Sequence, residues 1–337
     1  MIIRLDGGIE NKSTADFLAA LEAGGATLNM VQSGPGVWVV VSNLTGDTRA
    51  ALEQSKLVLE RHDPEGEAFF VSRRFQAADT LIGAGTDQIG AGRFQIIAGP
   101  CAVESAEQSL KTATFLQGEG IRYFRGGLCK PRTSPYSFQG LGRAGLAIFQ
   151  TIRERFRLRI VSEALDESCL EMILPHVDVV QVGSRNRQNF SLLKRLGAVD
   201  KPILLKRGMA ATLDEFLMAA EYVVVHGNPR VILCERGIRT ISNHTRNTLD
   251  LSAVPYLKKV THLPVIVDPS HGTGLRDLVR PMARAAAAAG ADGIMVEVHP
   301  EPGRALSDSM QSISHAEFHR LADEVTQIFR LLDSFRN

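Results

Sequence analysis

A chain of 337 residues exceeds one average domain, and 44% hydrophobic residues with a mean hydropathy of -0.01 suit a globular protein able to bury a large core. Lys and Arg number 38 against 37 Asp and Glu, a net charge of +1 that gives no bulk attraction to nucleic acid or to an acidic membrane surface. No apolar run reaches the ~20 residues of a membrane span, the start MIIRLDGGIE lacks the basic and apolar stretches of an export signal, and four cysteines are too sparse for a disulfide framework, so a cytoplasmic protein with reduced thiols is expected.

In chain order, the first residues read as strand MIIRL, helix TADFLAALEAGG, strands ATLNMVQ and VWVVVSN, helix DTRAALEQSKLVLE and strand EAFFVSR. This βαββαβ order predicts a ferredoxin-like module over residues 1–72, an arrangement often used to sense small ligands. Residues 73–92, with repeated Gly and little periodicity, read as a linker. From Arg93 to residue 337, short apolar runs alternate with amphipathic stretches. The runs FQIIAGP, YFRGGL, RIVSEAL, VDVVQVGS, PILLKRG, RVILCERG, PVIVDPSHG and GIMVEVHP supply eight strands, the number that closes a (β/α)8 barrel. An open doubly wound sheet is the rival; no Gly-rich dinucleotide fingerprint follows the first strand to favour it.

Catalytic groups of such barrels sit at the C-terminal ends of the strands. The runs end in, or are followed by, Cys101, then Arg125, Lys130 and Arg132, then Arg185, Lys206, Arg236, His271, and finally Glu297 with Asp308 in its loop. Cys101, His271, Glu297 and Asp308 come from strands one, seven and eight, which become neighbours on closure, and a thiolate, an imidazole and two carboxylates make a divalent-metal site. Arg125, Lys130, Arg132, Arg185, Lys206 and Arg236 place six cations at the same rim, which predicts a polyanionic ligand. Cys129 adjoins Lys130; approach to Cys101 would permit an oxidative disulfide, packing being its plainer role. The run RERFRLR (153–159) reads as a solvated helix face without a function.

AGPCAVES (98–105), RGGLCKPRTSPYSFQGLG (125–142), VGSRNRQN (182–189), LLKRGM (204–209), CERGIRT (234–240), DPSHGTG (268–274) and MVEVHPEP (295–302) together closely resemble the 3-deoxy-arabino-heptulosonate 7-phosphate synthases, over roughly residues 93–312. The subtype resembled has a short barrel and an N-terminal ferredoxin-like regulatory domain. The resemblance implies condensation of phosphoenolpyruvate with erythrose 4-phosphate and water, the first step of the shikimate pathway. It implies one divalent ion (Mn, Co, Fe or Zn) on Cys101, His271, Glu297 and Asp308. Phosphoenolpyruvate would lie on Arg125, Lys130, Lys206, Arg185, Arg236 and the amide of Ser184, and erythrose 4-phosphate on the stretch Lys130, Pro131, Arg132 and Thr133. Lys130, Lys206 and His271 are the implied catalytic side chains, Lys206 in proton transfer or as a fixed charge. An aromatic amino acid effector at the N-terminal module and a homotetramer are further implications. Two alternatives stand beside this: an octulosonate 8-phosphate synthase, which takes arabinose 5-phosphate and differs at the Lys-Pro-Arg-Thr stretch, and a silent barrel that senses phosphorylated metabolites.

Overall fold

A computed structural model describes residues 1–6, 8–33, 36–131 and 134–335. The first unit comprises β1 (Ile2–Leu5), α1 (Lys12–Ala23), β2 (Thr27–Ser33), β3 (Gly36–Ser42), α2 (Gly46–Gln54) and β4 (Val58–His62). Its strands lie in the order β2-β3-β1-β4, with β1 antiparallel to both neighbours, as the ferredoxin-like reading requires. Asn11 caps α1 through Ser13 N, and Thr45 with Thr48 forms a capping box on α2. Strand alternation sorts the side chains. Ile3, Leu5, Val37, Val39 and Val41 pack with Leu18, Leu21 and Leu52 of the helices, while Ile2, Val31 and Trp38 join the barrel's own core.

The fourth strand departs from the sequence reading. VLERH, read as the end of a helix, is the strand, and EAFFVSR, read as the strand, is irregular. Helix α2 ends because Ser55 turns extended, after which Arg4 and Glu60 pair across β1 and β4. EAFFVSR is apolar for another reason: it is buried between the sheet and the barrel. Trp38 lies 5.5 Å from the rings of both Phe69 and Phe75. The amides of Phe69, Phe70 and Val71 donate at 3.0, 2.9 and 3.0 Å to the carboxylate of Glu221, so a side chain satisfies the donors that a ladder would have used. Glu221→Ala should therefore lower unfolding stability by on the order of 3 kcal/mol, since it orphans three buried donors at once. Urea denaturation checks this; an unchanged midpoint would show that water replaces the carboxylate.

The second unit is a closed parallel barrel of β5 (Gln95–Gly99), β6 (Tyr123–Arg125), β7 (Arg159–Ala164), β8 (Val179–Val182), β9 (Ile203–Lys206), β10 (Val231–Glu235), β11 (Val265–Val267) and β12 (Gly293–Glu297). All eight strands fall within the runs identified in the sequence. Around them lie α3 (Ala106–Gly118), α4 (Leu146–Phe156), α5 (Glu167–Ile173), α6 (Phe190–Gly197), α7 (Leu213–Val225), α8 (Ala253–Val260), the short α9 (Pro269–Thr273), α10 (Arg276–Ala288) and α11 (His315–Ser334). The chain is thus a (β/α)8 barrel with a separate N-terminal antiparallel sheet. Ile97, Tyr123, Val161, Val179, Leu204, Ile232, Ile266 and Met295 fill the barrel interior. Within the stretch read as a linker, Ile82 and Ile89 form an antiparallel bridge and join that interior cluster. No helix among the described residues is long and apolar enough to cross a membrane.

Candidate active site

The strand ends converge as the barrel order demands. β5 runs parallel to β12, with Gly99 opposite Glu297, and β11 lies on the other side of β12. Gly99 has φ +149°, and a Cβ there would stand 2.1 Å from the carbonyl oxygen of Arg125, so only glycine allows the chain to leave β5 toward Cys101. Cys101 Sγ lies 2.9 Å from Ser307 Oγ and 3.1 Å from Asp308 Oδ2. Cys101, Glu297 and Asp308 each offer a ligand atom within 4.8 Å of the other two. His271 Nε2 stands 3.4 Å from Glu297 Oε1 and 3.8 Å from Asp308 Oδ2, so the imidazole faces the two acids of that trio.

Their orientation comes from the sequence DPSH. Asp268 caps α9 by accepting from His271 N, and its other oxygen accepts from His271 Nδ1 at 2.7 Å, which leaves Nε2 to face the acids. The same Oδ2 binds Lys206 Nζ at 2.5 Å. Burial would raise the Asp268 carboxyl, but His271 and Lys206 outweigh it and hold the group well below the carboxylate range. Asp308 is likewise raised by burial and lowered further by His271, the Cys101 hydrogen bond and Arg246, to about 2. Glu297 is also lowered against the effect of burial, by His271 and Arg125. Cys101 behaves oppositely: burial, then the Glu297 charge, pushes its thiol up to about 12. A soft sulfur, an imidazole nitrogen and two ionised carboxylates fit a borderline divalent ion, whose charge would reverse the thiol's preference.

Of the six expected cations, two already have buried partners. Arg125 Nη1 bonds Glu297 Oε1 at 2.7 Å, and Lys206 pairs with Asp268. Lys130, buried, donates from Nζ to Cys101 O at 3.1 Å. Arg236 is 4% exposed yet has no carboxylate within ion-pair reach among the described residues; its Nη1 meets only Gly237 O, and burial lowers its pKa. Arg185, exposed, donates to Pro131 O at 3.2 Å. Arg132 and Thr133 lie outside the described residues. A cavity of about 350 Å³ joins these groups; its lining includes Lys130, Pro131, Ser184, Arg185, Lys206, Arg236, His271 and Asp308.

The structure adds residues that the sequence reading passed over. Glu163 at the end of β7 lines the same cavity and accepts from Gln181 Nε2 at 3.3 Å. Gly183 makes room for it, since a Cβ there would stand 1.9 Å from Glu163 Oε1. Arg207 is not a free cation: it pairs with Glu235 at 2.8 Å and Asp250 at 2.9 Å. Asp268 could have been found from the helix-capping pattern Asp-Pro-Ser-His, whereas Arg246 and Gln311, which reach Asp308 Oδ1 and Glu297 Oε2, left no sequence signal. All four cysteines, Cys129 included, are free thiols, with Cys101 Sγ turned to Ser307 and Asp308 and Cys169 Sγ donating to Glu163 O at 3.6 Å.

The family model of the DAHP synthetase I family matches residues 75–334. Phospho-2-dehydro-3-deoxyheptonate aldolase of Thermotoga maritima is 52% identical over 258 residues, 77% of this chain and 76% of that protein. A crystal structure of the same-named aldolase (DAHP synthase) from Thermotoga maritima superposes with a TM-score of 0.78 at 42% identity, covering 98% of this chain and 97% of the other. More distant is 2-dehydro-3-deoxyphosphooctonate aldolase of Syntrophobacter fumaroxidans, 29% identical over 72% of this chain and 90% of that protein. By its matched length and these likenesses, the chain belongs to the DAHP synthetase I family.

Proposed function

We infer that the chain condenses phosphoenolpyruvate with erythrose 4-phosphate and water to give 3-deoxy-arabino-heptulosonate 7-phosphate and phosphate. One observation carries the reading: the Cys101 thiol and the Glu297 and Asp308 carboxylates lie within reach of one another, with the His271 imidazole facing both acids, beside the buried Arg236, which has no ion-paired acid among the described residues. That is a seat for one divalent cation next to an anion cavity. The 52% identity to a deoxyheptonate aldolase against 29% to a deoxyoctonate aldolase favours the four-carbon aldose. The silent-sensor alternative gives no reason to keep an ordered thiol among acids. Turnover compared with erythrose 4-phosphate and arabinose 5-phosphate tests the choice; faster reaction with the pentose phosphate would overturn it.

In this reading Arg236 and Arg185, with the amide of Ser184, Lys130 and Lys206, hold the phosphate and carboxylate of phosphoenolpyruvate. Arg125 fixes Glu297 and adds charge beside the carboxylate. Lys130, Pro131, Arg132 and Thr133 receive the aldose phosphate. A divalent ion on Cys101, His271, Glu297 and Asp308 supplies Lewis acidity at the aldehyde oxygen when bound. C3 of phosphoenolpyruvate attacks the aldehyde carbon, and the positive charge that develops at C2 is met by water. Glu163, whose carboxylate reaches into the cavity, orients that water and takes its proton. The tetrahedral phosphate ester then collapses to a ketone as its C2–O bond to the phosphate breaks and the hydroxyl proton passes to the departing phosphate, which Arg236 and Arg185 hold throughout. Lys206, tethered by Asp268, serves as a fixed charge and as a donor to the forming alkoxide. Most of the acceleration comes from holding two anions in contact with preorganised charge.

We assign the enzyme to the cytoplasm, the compartment that suits two phosphorylated substrates. We further assign the first module, residues 1–72, to feedback control by an aromatic amino acid, with 73–92 as its connection to a catalytic unit of 93–337 in a homotetramer. Its support is the ferredoxin-like sheet, one face of which is buried against the strap Phe69–Val71. A chain lacking residues 1–62 keeps that strap; it should turn over at the intact rate and lose inhibition by tyrosine or phenylalanine. Equal inhibition of both chains would place the effector elsewhere, and size-exclusion with light scattering reads the subunit number.

A further inference from the structure

We propose that Arg246 and Gln311 clamp the two metal-facing carboxylates so that each presents a single oxygen, and that this clamp makes the site prefer a small transition ion over calcium. The inference rests on the reading of Cys101, His271, Glu297 and Asp308 as ligands. Glu297 turns Oε1 toward His271 Nε2 at 3.4 Å, where it also accepts one bond from Arg125 Nη1 at 2.7 Å and keeps its second lone pair, while its Oε2 accepts from Gln311 Nε2 at 2.7 Å. Asp308 turns Oδ2 toward Cys101 Sγ at 3.1 Å, while its Oδ1 faces Arg246 Nη1 at 3.5 Å. The same Nη1 donates to Gln311 Oε1 at 3.1 Å. One guanidinium nitrogen and one amide thus hold both outward oxygens.

The clamp is itself held rigidly. Gln311 is 2% exposed, and its backbone N–H donates to Asp308 O at 3.2 Å. Arg246 N donates to Thr273 O, Asn247 N to Gly272 O and Asn247 Nδ2 to His271 O, so this segment lies along α9, which bears the imidazole. Gly274, at φ +72°, lets it close: a Cβ there would stand 2.5 Å from Arg246 Cβ. Three of the four ligand groups are therefore braced by one pair of loops. Calcium takes six to eight oxygens and uses carboxylates in bidentate fashion, whereas zinc-like ions accept four N, O and S donors. A carboxylate whose second oxygen is occupied serves the latter and starves the former.

The test uses the metal-free full chain. Co²⁺ is titrated into wild type, Gln311→Met and Arg246→Met, following the thiolate-to-cobalt charge-transfer band, and Ca²⁺ is then competed against it. Partners of this kind are typically worth about 10- to 100-fold in metal affinity. Gln311→Met should weaken Co²⁺ by that factor, and both variants should narrow the Co²⁺-to-Ca²⁺ preference at least tenfold. Arg246→Met also removes a charge, but both dications feel that loss equally, so the ratio isolates the clamp. Should the buried Gln311→Met variant misfold by circular dichroism, the half-exposed Arg246 variant decides. An unchanged ratio in a folded variant overturns the clamp and leaves the ligand set standing. A wild type that yields no charge-transfer band overturns the ligand set beneath it.

Discussion

Cys101→Ser should lower condensation by about 10³-fold or more, the several kcal/mol expected when a Lewis-acid ion loses a ligand. The hydroxyl is nearly isosteric, and Cys101 is buried among Ser307, Asp308 and the Lys130 ammonium, so the fold should survive. What changes is the ligand. The wild-type thiol, held up to about 12 by burial and Glu297, must lose its proton to bind a cation. Metal binding should therefore release close to one proton at pH 7 and tighten as pH rises, because the proton competes for sulfur well below its pKa. In the serine variant that release should vanish with the affinity. Calorimetry in buffers of different ionisation enthalpy measures the proton directly. Full turnover by Cys101→Ser, or no proton release from wild type, would remove sulfur from the site.

Arg236→Ala is expected to cut kcat/KM for phosphoenolpyruvate by about 10²- to 10³-fold, roughly 3–4 kcal/mol for losing a desolvated charge contact. Most of the loss should appear in KM, because a phosphate held before and after bond formation is bound uniformly. The reason lies in the contrast among cations. Arg125, Lys206 and Arg207 are neutralised by Glu297, Asp268 and Glu235, so their charge is spent on order within the protein. Arg236 is equally buried without an ion-paired acid among the described residues, a costly state that an anionic ligand relieves. Arg236→Ala should accordingly stabilise the ligand-free protein slightly while weakening substrate protection against heat. Unchanged KM in a folded variant would place the phosphate elsewhere.

The barrel was legible because its parallel strands are buried on both faces and read as short apolar runs at regular intervals. Each of the eight runs became a strand, and the groups following them met because closure makes β5, β11 and β12 neighbours. The N-terminal sheet was legible in order but misread at one edge. VLERH is a half-exposed edge strand whose Glu60 and Arg61 resemble helix surface, and EAFFVSR carries the apolar residues of a strand while its donors serve Glu221. At the site, residue type and strand position sufficed to single out Cys101, Glu297 and Asp308, which lie together, and His271, which faces the two acids. Pairing could not be read so: that Arg125 answers Glu297, or that Arg246 and Gln311 reach the outward oxygens, depends on loop paths without any period.

On the proposed function, a divalent cation and a phosphate-binding mouth act together in one condensation. Phosphate release from phosphoenolpyruvate plus erythrose 4-phosphate should stop in chelator-treated protein and return on adding Mn²⁺, Co²⁺ or Zn²⁺. Undiminished phosphate release from protein shown by elemental analysis to be metal-free would contradict it.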